Sequence, residues 1–260
     1  MNTQINLCFL HGLLGSGEDW QEVLGIIQKY NPTINCITID LPFHGEEKKT
    51  SVENFKETRA FLQQKIEEKI GNKPYWLIGY SLGGRVALDF SLQNIVNKNL
   101  QGLILEGVNF GLESELDKAV RWENDVKWAN RFATEALSNV LADWYQQKVF
   151  SHLNEKQRQA LITKRAGNSA TGIAQMLKAT SLAKQEYFLS PSWIIKWETF
   201  RKQHHVVYIC GERDEKFKKI AKNIQIPVRI IPEAGHNTHQ ENPKAFAQSL
   251  LDFVKSYYEV

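Results

Sequence analysis

Apolar residues along this chain come in two rhythms. Continuous runs of four to six residues occur at Ile5–Leu10, Ile34–Ile39, Tyr75–Ile78, Leu100–Leu105, His205–Cys210 and Ile226–Ile231. Their length and their β-branched and aromatic content predict strands buried on both faces. Between them, apolar residues fall at helical spacing. Trp20, Val23, Leu24 and Ile27 share one face of Asp19–Tyr30, and Phe55, Phe61, Leu62 and Ile66 share one face of Val52–Ile70; Phe246–Tyr257 closes the chain as a helix. Alternation of this kind predicts an α/β fold of about six parallel strands with helices on both faces. The alternation lapses from Gly111 to about Trp197, a stretch rich in Trp, Arg, Lys and Gln with only helical spacing. It predicts a helical lid over residues 111–198, inserted between core segments 1–110 and 199–260.

The third run breaks into Gly79-Tyr80-Ser81-Leu82-Gly83 and then into a helical pattern. Strand, G-x-S-x-G and helix together describe a sharp turn that lifts a serine hydroxyl above the sheet edge, with glycines where the backbone approaches its neighbours too closely for a Cβ. Two other loops carry chemistry. Cys210-Gly211-Glu212-Arg213-Asp214 follows the fifth run, and Glu233-Ala234-Gly235-His236-Asn237 follows the sixth. Loops after parallel strands share one edge of the sheet. Ser81, Asp214 and His236 should therefore meet there although 133 and 22 residues separate them (214−81 and 236−214). A serine hydroxyl becomes reactive when a histidine takes its proton and a carboxylate fixes the histidine tautomer.

The first run ends in His11-Gly12-Leu13-Leu14-Gly15-Ser16-Gly17. This loop lacks the Lys and Ser/Thr of a phosphate-binding P-loop. Its expected use is half of an oxyanion hole, with the backbone N–H of Leu14 joining that of Leu82. His11, His44, His239, Glu212 and Asp40 are expected to serve structure. No metal-ligand spacing occurs, and neither metal nor cofactor is expected.

Composition narrows the partners. Of 260 residues, 42% are hydrophobic and 23% charged, enough apolar residues for a sizeable core. A net charge of +3 is too mild for nucleic acid and suits a small anionic ligand if the positive charge converges on a pocket. No basic segment and cleavage site open the chain, and no apolar run reaches the roughly 20 residues that cross a bilayer. Three cysteines, each in a strand run, imply no disulfide framework and fit a reduced, cytoplasmic protein.

The order Ser81, Asp214, His236 and the G-x-S-x-G turn resemble the α/β-hydrolase superfamily. Further tracts resemble, within it, the pyruvate-eliminating synthases of menaquinone biosynthesis: Gly84-Arg85, Ala142-Asp143-Trp144-Tyr145-Gln146-Gln147, and Met176-Leu177-Lys178-Ala179-Thr180-Ser181-Leu182-Ala183. The resemblance covers nearly the whole chain. It implies that Arg85, Arg121 and Arg165 grip a tricarboxylate and that Tyr80 and Trp144 line its pocket. It also implies a carbon–oxygen lyase that eliminates pyruvate from 2-succinyl-5-enolpyruvyl-6-hydroxy-3-cyclohexene-1-carboxylate, with the triad as general base. Two loops depart from the family pattern. Phe43 stands where relatives usually have glycine, and Val108-Asn109-Phe110-Gly111-Leu112 replaces a run that usually holds proline. Both loops are expected to border the pocket. Competing readings are a serine esterase or carbon–carbon bond hydrolase acting through a covalent Ser81 intermediate, and a silent ligand-binding relative.

Overall fold

The computed structural model describes residues 4–95 and 97–257. The outermost residues of the two core segments, 1–3 and 258–260, lie outside them. Six strands form one parallel sheet: β1 (Asn6–Leu10), β2 (Asn35–Ile39), β3 (Tyr75–Tyr80), β4 (Leu100–Glu106), β5 (His205–Gly211) and β6 (Val228–Ile231). Their order is β2-β1-β3-β4-β5-β6. The chain leaves β1 toward one edge and returns to build β3 on its other side, so the crevice above β1 and β3 is a topological switch point.

Strand residues alternate between two apolar layers, as the pleat requires. Cys8, Leu10, Tyr75 and Leu77 face one layer, while Leu7, Phe9, Trp76 and Ile78 face the other. Helix α1 (Gln21–Tyr30) packs on the second layer through Val23 and Ile27. Helices α2 (Phe55–Lys69) and α3 (Leu82–Gln93) cover the first. Asn54 caps α2 by accepting the N–H of Glu57 at 3.0 Å, which sets its start three residues after Val52.

Between β4 and β5 the described residues hold helices and no strand: α4 (Glu115–Thr134), α5 (Leu137–Trp144), α6 (Glu155–Arg165), α7 (Ala170–Ala179) and α8 (Ile194–Gln203). Helices α4, α5 and α7 make a small core of their own from Phe132, Val140, Leu141, Ile173 and Leu177, with Leu14 beneath it. The expected lid boundary at 198 falls inside α8, whose Trp197 and Phe200 pack in the core of the sheet. After β5 come α9 (Glu215–Ala221), the single turn α10 (Thr238–Glu241) and α11 (Pro243–Lys255), which joins α1 on the second layer. No helix among the described residues is long and apolar enough to cross a membrane. Cys8, Cys36 and Cys210 are free, and burial pushes each thiol up to about 12.

Candidate active site

The turn after β3 holds Ser81 at φ 48° and ψ −107°. A non-glycine residue in so sparsely populated a region stores on the order of 1–3 kcal/mol, which neighbouring contacts must enforce. Here Ser81 donates its N–H to the Glu106 carbonyl at 2.9 Å, and its own carbonyl accepts from Arg85 at 3.0 Å. The flanking glycines are steric requirements. A Cβ on Gly79 would lie 2.5 Å from the Gly84 Cα, and one on Gly83 would lie 2.4 Å from the His11 carbonyl oxygen.

The strand-end loops bring the other two residues to this turn. His236 Nε2 is 3.3 Å from Ser81 Oγ, and His236 Nδ1 is 2.9 Å from Asp214 Oδ2. With the proton on Nδ1 donated to the carboxylate, Nε2 is left to accept from the serine hydroxyl. Asp214 also caps α9, its Oδ1 accepting the Phe217 N–H at 3.2 Å. The imidazole is clamped between Phe217, stacked at 4.5 Å, and Tyr80 at 5.3 Å. Phe217 was not singled out in the sequence. Its only signal is its place three residues after Asp214.

Leu82 is the first residue of α3, so its N–H has no acceptor within the helix. The expected second donor does not fit. Leu14 sits at φ 68°, and its N–H is already donated to His44 Nε2 at 3.1 Å. Its side chain is buried under the lid. Leu13, one position earlier, lines the cleft of Ser81 and Leu82, and its N–H meets no protein acceptor among the described residues. His11 and His44 hold this loop, as expected. His11 Nε2 accepts the Leu41 N–H at 2.9 Å, and His44 Nδ1 donates to the Pro42 carbonyl at 2.8 Å. Burial keeps both imidazoles neutral, drawing His44 down to about 3. Asp40 accepts the N–H groups of Gly17 and Glu46, and Glu212 accepts that of Glu233. Buried Glu106 accepts from His239 Nδ1 at 2.7 Å.

Three cations line the Ser81 cleft, which encloses about 120 Å³. Arg85, one turn into α3, donates to the Thr180 carbonyl at 2.8 Å and to Gln185 Oε1 at 3.3 Å. Arg121 on α4 pairs with Asp125 at 2.8 Å, and Asp125 in turn accepts from Ser181 at 2.7 Å. The 176–183 tract thus supplies partners on both sides. The third cation is Lys216, missed in the sequence. Its signal was position, two residues beyond Asp214 on the same sheet edge. Neither Arg85 nor Lys216 has a carboxylate within ion-pair distance among the described residues. Burial and neighbouring Arg121 draw the half-buried Arg85 guanidinium down to about 9 and lower Lys216 as well. An anion entering the cleft would relieve that mutual repulsion.

Arg165 lies elsewhere. At the end of α6 it is buried and forms a bidentate pair with Asp19, at 2.8 and 2.7 Å, while Lys164 reaches the same carboxylate at 2.8 Å. Burial alone would raise the Asp19 carboxyl, but Arg165 and Lys164 hold it below the usual range. The pair borders a second cavity of about 270 Å³ with Tyr80, Tyr145 and Phe150. Leu13 and Trp144 line both cavities and so stand between them. Of the two departing loops, only Asn109 reaches the Ser81 cleft. Phe43 is buried in the core beside α2 at φ 66°, in the left-handed region that favours glycine. Among the described residues no group of three or more His, Cys, Asp or Glu could hold a metal ion.

A family model for the alpha/beta hydrolase fold matches residues 5–243. A Haemophilus influenzae protein provisionally named 2-succinyl-6-hydroxy-2,4-cyclohexadiene-1-carboxylate synthase is 47% identical over 251 residues, covering 96% of this chain and 97% of its own. The Yersinia enterocolitica protein named as the same synthase is 41% identical over 248 residues, covering 95% of this chain and 86% of its own. A solved structure of MenH from S. aureus superimposes with a TM-score of 0.84 at 26% identity, over 98% of this chain and 95% of that one. Fold, strand-end residues and full-length similarity agree: the chain belongs to the α/β-hydrolase family and, within it, to the 2-succinyl-6-hydroxy-2,4-cyclohexadiene-1-carboxylate synthases.

Proposed function

We propose that this chain is a carbon–oxygen lyase that eliminates pyruvate from 2-succinyl-5-enolpyruvyl-6-hydroxy-3-cyclohexene-1-carboxylate, with Ser81, His236 and Asp214 acting as one general base. Ser81 Oγ removes the proton α to the succinyl ketone while passing its own to His236 Nε2. The C–H electron pair forms an enolate whose oxygen accepts from the N–H groups of Leu13 and Leu82. Collapse of the enolate makes the C2=C3 bond, the C3=C4 pair shifts to C4=C5, and the C5–O bond breaks with its electron pair leaving on enolpyruvate. Imidazolium returns the proton, and enolpyruvate becomes pyruvate. Asp214 stabilises the imidazolium throughout.

The observation that carries the reading is the charge of the cleft. Arg85 and Lys216 face Ser81 without acidic partners, so carboxylates of the substrate complete them. A simple ester offers nothing to such a pocket. Arg121 and Trp144 complete its wall, and Tyr80 backs His236. Residues 111 to about 193 act as the lid, and the free thiols suit the cytoplasm.

Base and nucleophile roles for Ser81 are separable. Rapid-quench mass spectrometry during turnover should find no substrate fragment on the serine. A trapped ester there with the native substrate would favour the covalent hydrolase instead.

A further inference from the structure

The segment carrying His236 is gripped by two carboxylates that touch neither Ser81 nor the cation cleft. Glu106, fully buried at the end of β4, accepts from Thr238 Oγ1 at 2.6 Å and from the His239 N–H at 3.0 Å. Glu241, at the end of α10, holds the other side. Its Oε2 accepts the Gly235 N–H at 2.7 Å and its Oε1 the Asn237 N–H at 3.1 Å, the amides on either side of His236. A third donor comes from the lid. His152, between α5 and α6, places Nε2 3.0 Å from the same carboxylate. Gly235 makes room for it, since a Cβ there would lie 2.1 Å from His152 Nε2.

We propose that Glu241 is a positioning residue for His236 and that His152 ties the lid to it, so that the base is fully aligned only with the lid seated. The inference rests on Ser81 and His236 reacting together, but not on the identity of the substrate. A carboxylate spanning two successive loop amides fixes the direction of the peptide between them, and hence where the His236 ring points. A donor from the lid holds that carboxylate in turn. The cavity that Glu241 borders is also lined by Tyr80, Tyr145 and the Arg165–Asp19 pair, its other titratable and charged neighbours.

The test uses the full chain with Glu241→Gln, His152→Ala, His152→Gln and the double variant Glu241→Gln/His152→Ala, each checked for its melting temperature. Two rates are measured: inactivation by a fluorophosphonate that labels Ser81, and lyase turnover. Misalignment of His236 should slow both by roughly ten- to a hundredfold in Glu241→Gln, with KM little changed. His152→Ala should fall several-fold, and His152→Gln, whose amide N–H can still donate to Glu241, should recover most of that loss. The double variant should be no slower than Glu241→Gln, because both residues act through one contact. Wild-type rates in His152→Ala, equal losses in His152→Ala and His152→Gln, or independent losses in the double variant would overturn the proposal. If Glu241→Gln does not fold, the two His152 variants decide it. Labelling needs no lyase substrate, so a wild-type chain that labels but releases no pyruvate defeats the function proposed above and leaves this test intact.

Discussion

Replacing Ser81 by alanine, Asp214 by asparagine or His236 by alanine should each lower kcat by about 10²–10⁴, the usual contribution of a positioned general base. The geometry explains why one loss is nearly all losses. Without the hydroxyl, His236 Nε2 has nothing to relay. Without the imidazole, nothing takes the Ser81 proton across the 3.3 Å contact. In Asp214→Asn, the 2.9 Å partner of Nδ1 is no longer an anion, and an amide turned to donate there favours the wrong tautomer. Double variants should therefore be little slower than the slowest single one. Losses that multiply across the three positions would contradict a single unit. Melting curves should stay near wild type for Ser81→Ala, since alanine keeps the Cβ and the strained turn as they are and removes only the hydroxyl.

Two of the three arginines that resemblance places together, Arg85 and Arg165, should part company on substitution. Arg165→Ala leaves Asp19 buried with the Lys164 ammonium and the Ser16 N–H, and breaking a buried pair costs about 3–5 kcal/mol. For a domain of this size that is a fall of roughly 6–20 °C in Tm. Arg85→Ala breaks hydrogen bonds to two neutral oxygens and a guanidinium contact with the Phe55 ring at 5.8 Å but no ion pair, so the fold should survive. Its loss should appear in catalysis. Removing one charge-assisted contact costs roughly 1.5–3 kcal/mol, or about ten- to a hundredfold in kcat/KM with the tricarboxylate. A neutral activated ester should be turned over nearly as before. Arg85→Lys should recover part of the loss, because an ammonium keeps the charge without the planar fork. Equal damage to both substrates by Arg85→Ala, or an unchanged Tm for Arg165→Ala, would reverse the assignment.

All six runs became strands, but only the four inner ones, β1, β3, β4 and β5, are buried as expected. Of the edge strands, β2 is half-buried and β6 largely exposed, since each has a neighbour on one side alone. Pro227 trimmed the start of the last, because it has no N–H for the ladder. Helix α11 begins three residues before its apolar pattern, at Asn242, which caps it, and Pro243 in its first turn. Those two residues were a readable signal that periodicity alone passes over. Helix α8 looks like more lid by its spacing. Only its packing through Trp197 and Phe200 assigns it to the sheet.

Ser81, Asp214 and His236 were legible because each follows a strand, and parallel strands deliver their loops to one edge. That the Leu14 N–H is already engaged follows from something no local pattern holds. The direction of the Leu14 N–H is set by His44, 30 residues away in sequence. The pairing of Arg165 is likewise hidden from any local pattern, since its partner Asp19 lies 146 residues earlier in the chain. Asp19 reads locally as a helix start. What a charged side chain is free to do depends on whether a distant residue already holds it.

Expulsion of pyruvate by proton abstraction in this cleft can be followed directly. Purified chain mixed with 2-succinyl-5-enolpyruvyl-6-hydroxy-3-cyclohexene-1-carboxylate should release pyruvate and form a conjugated cyclohexadiene in equal amounts, with no added metal or cofactor. Ser81→Ala should reduce both signals together to the slow spontaneous rate. A wild-type chain that leaves the intermediate at that spontaneous rate, while still reacting with a fluorophosphonate at Ser81, would contradict the lyase and leave a hydrolase in its place.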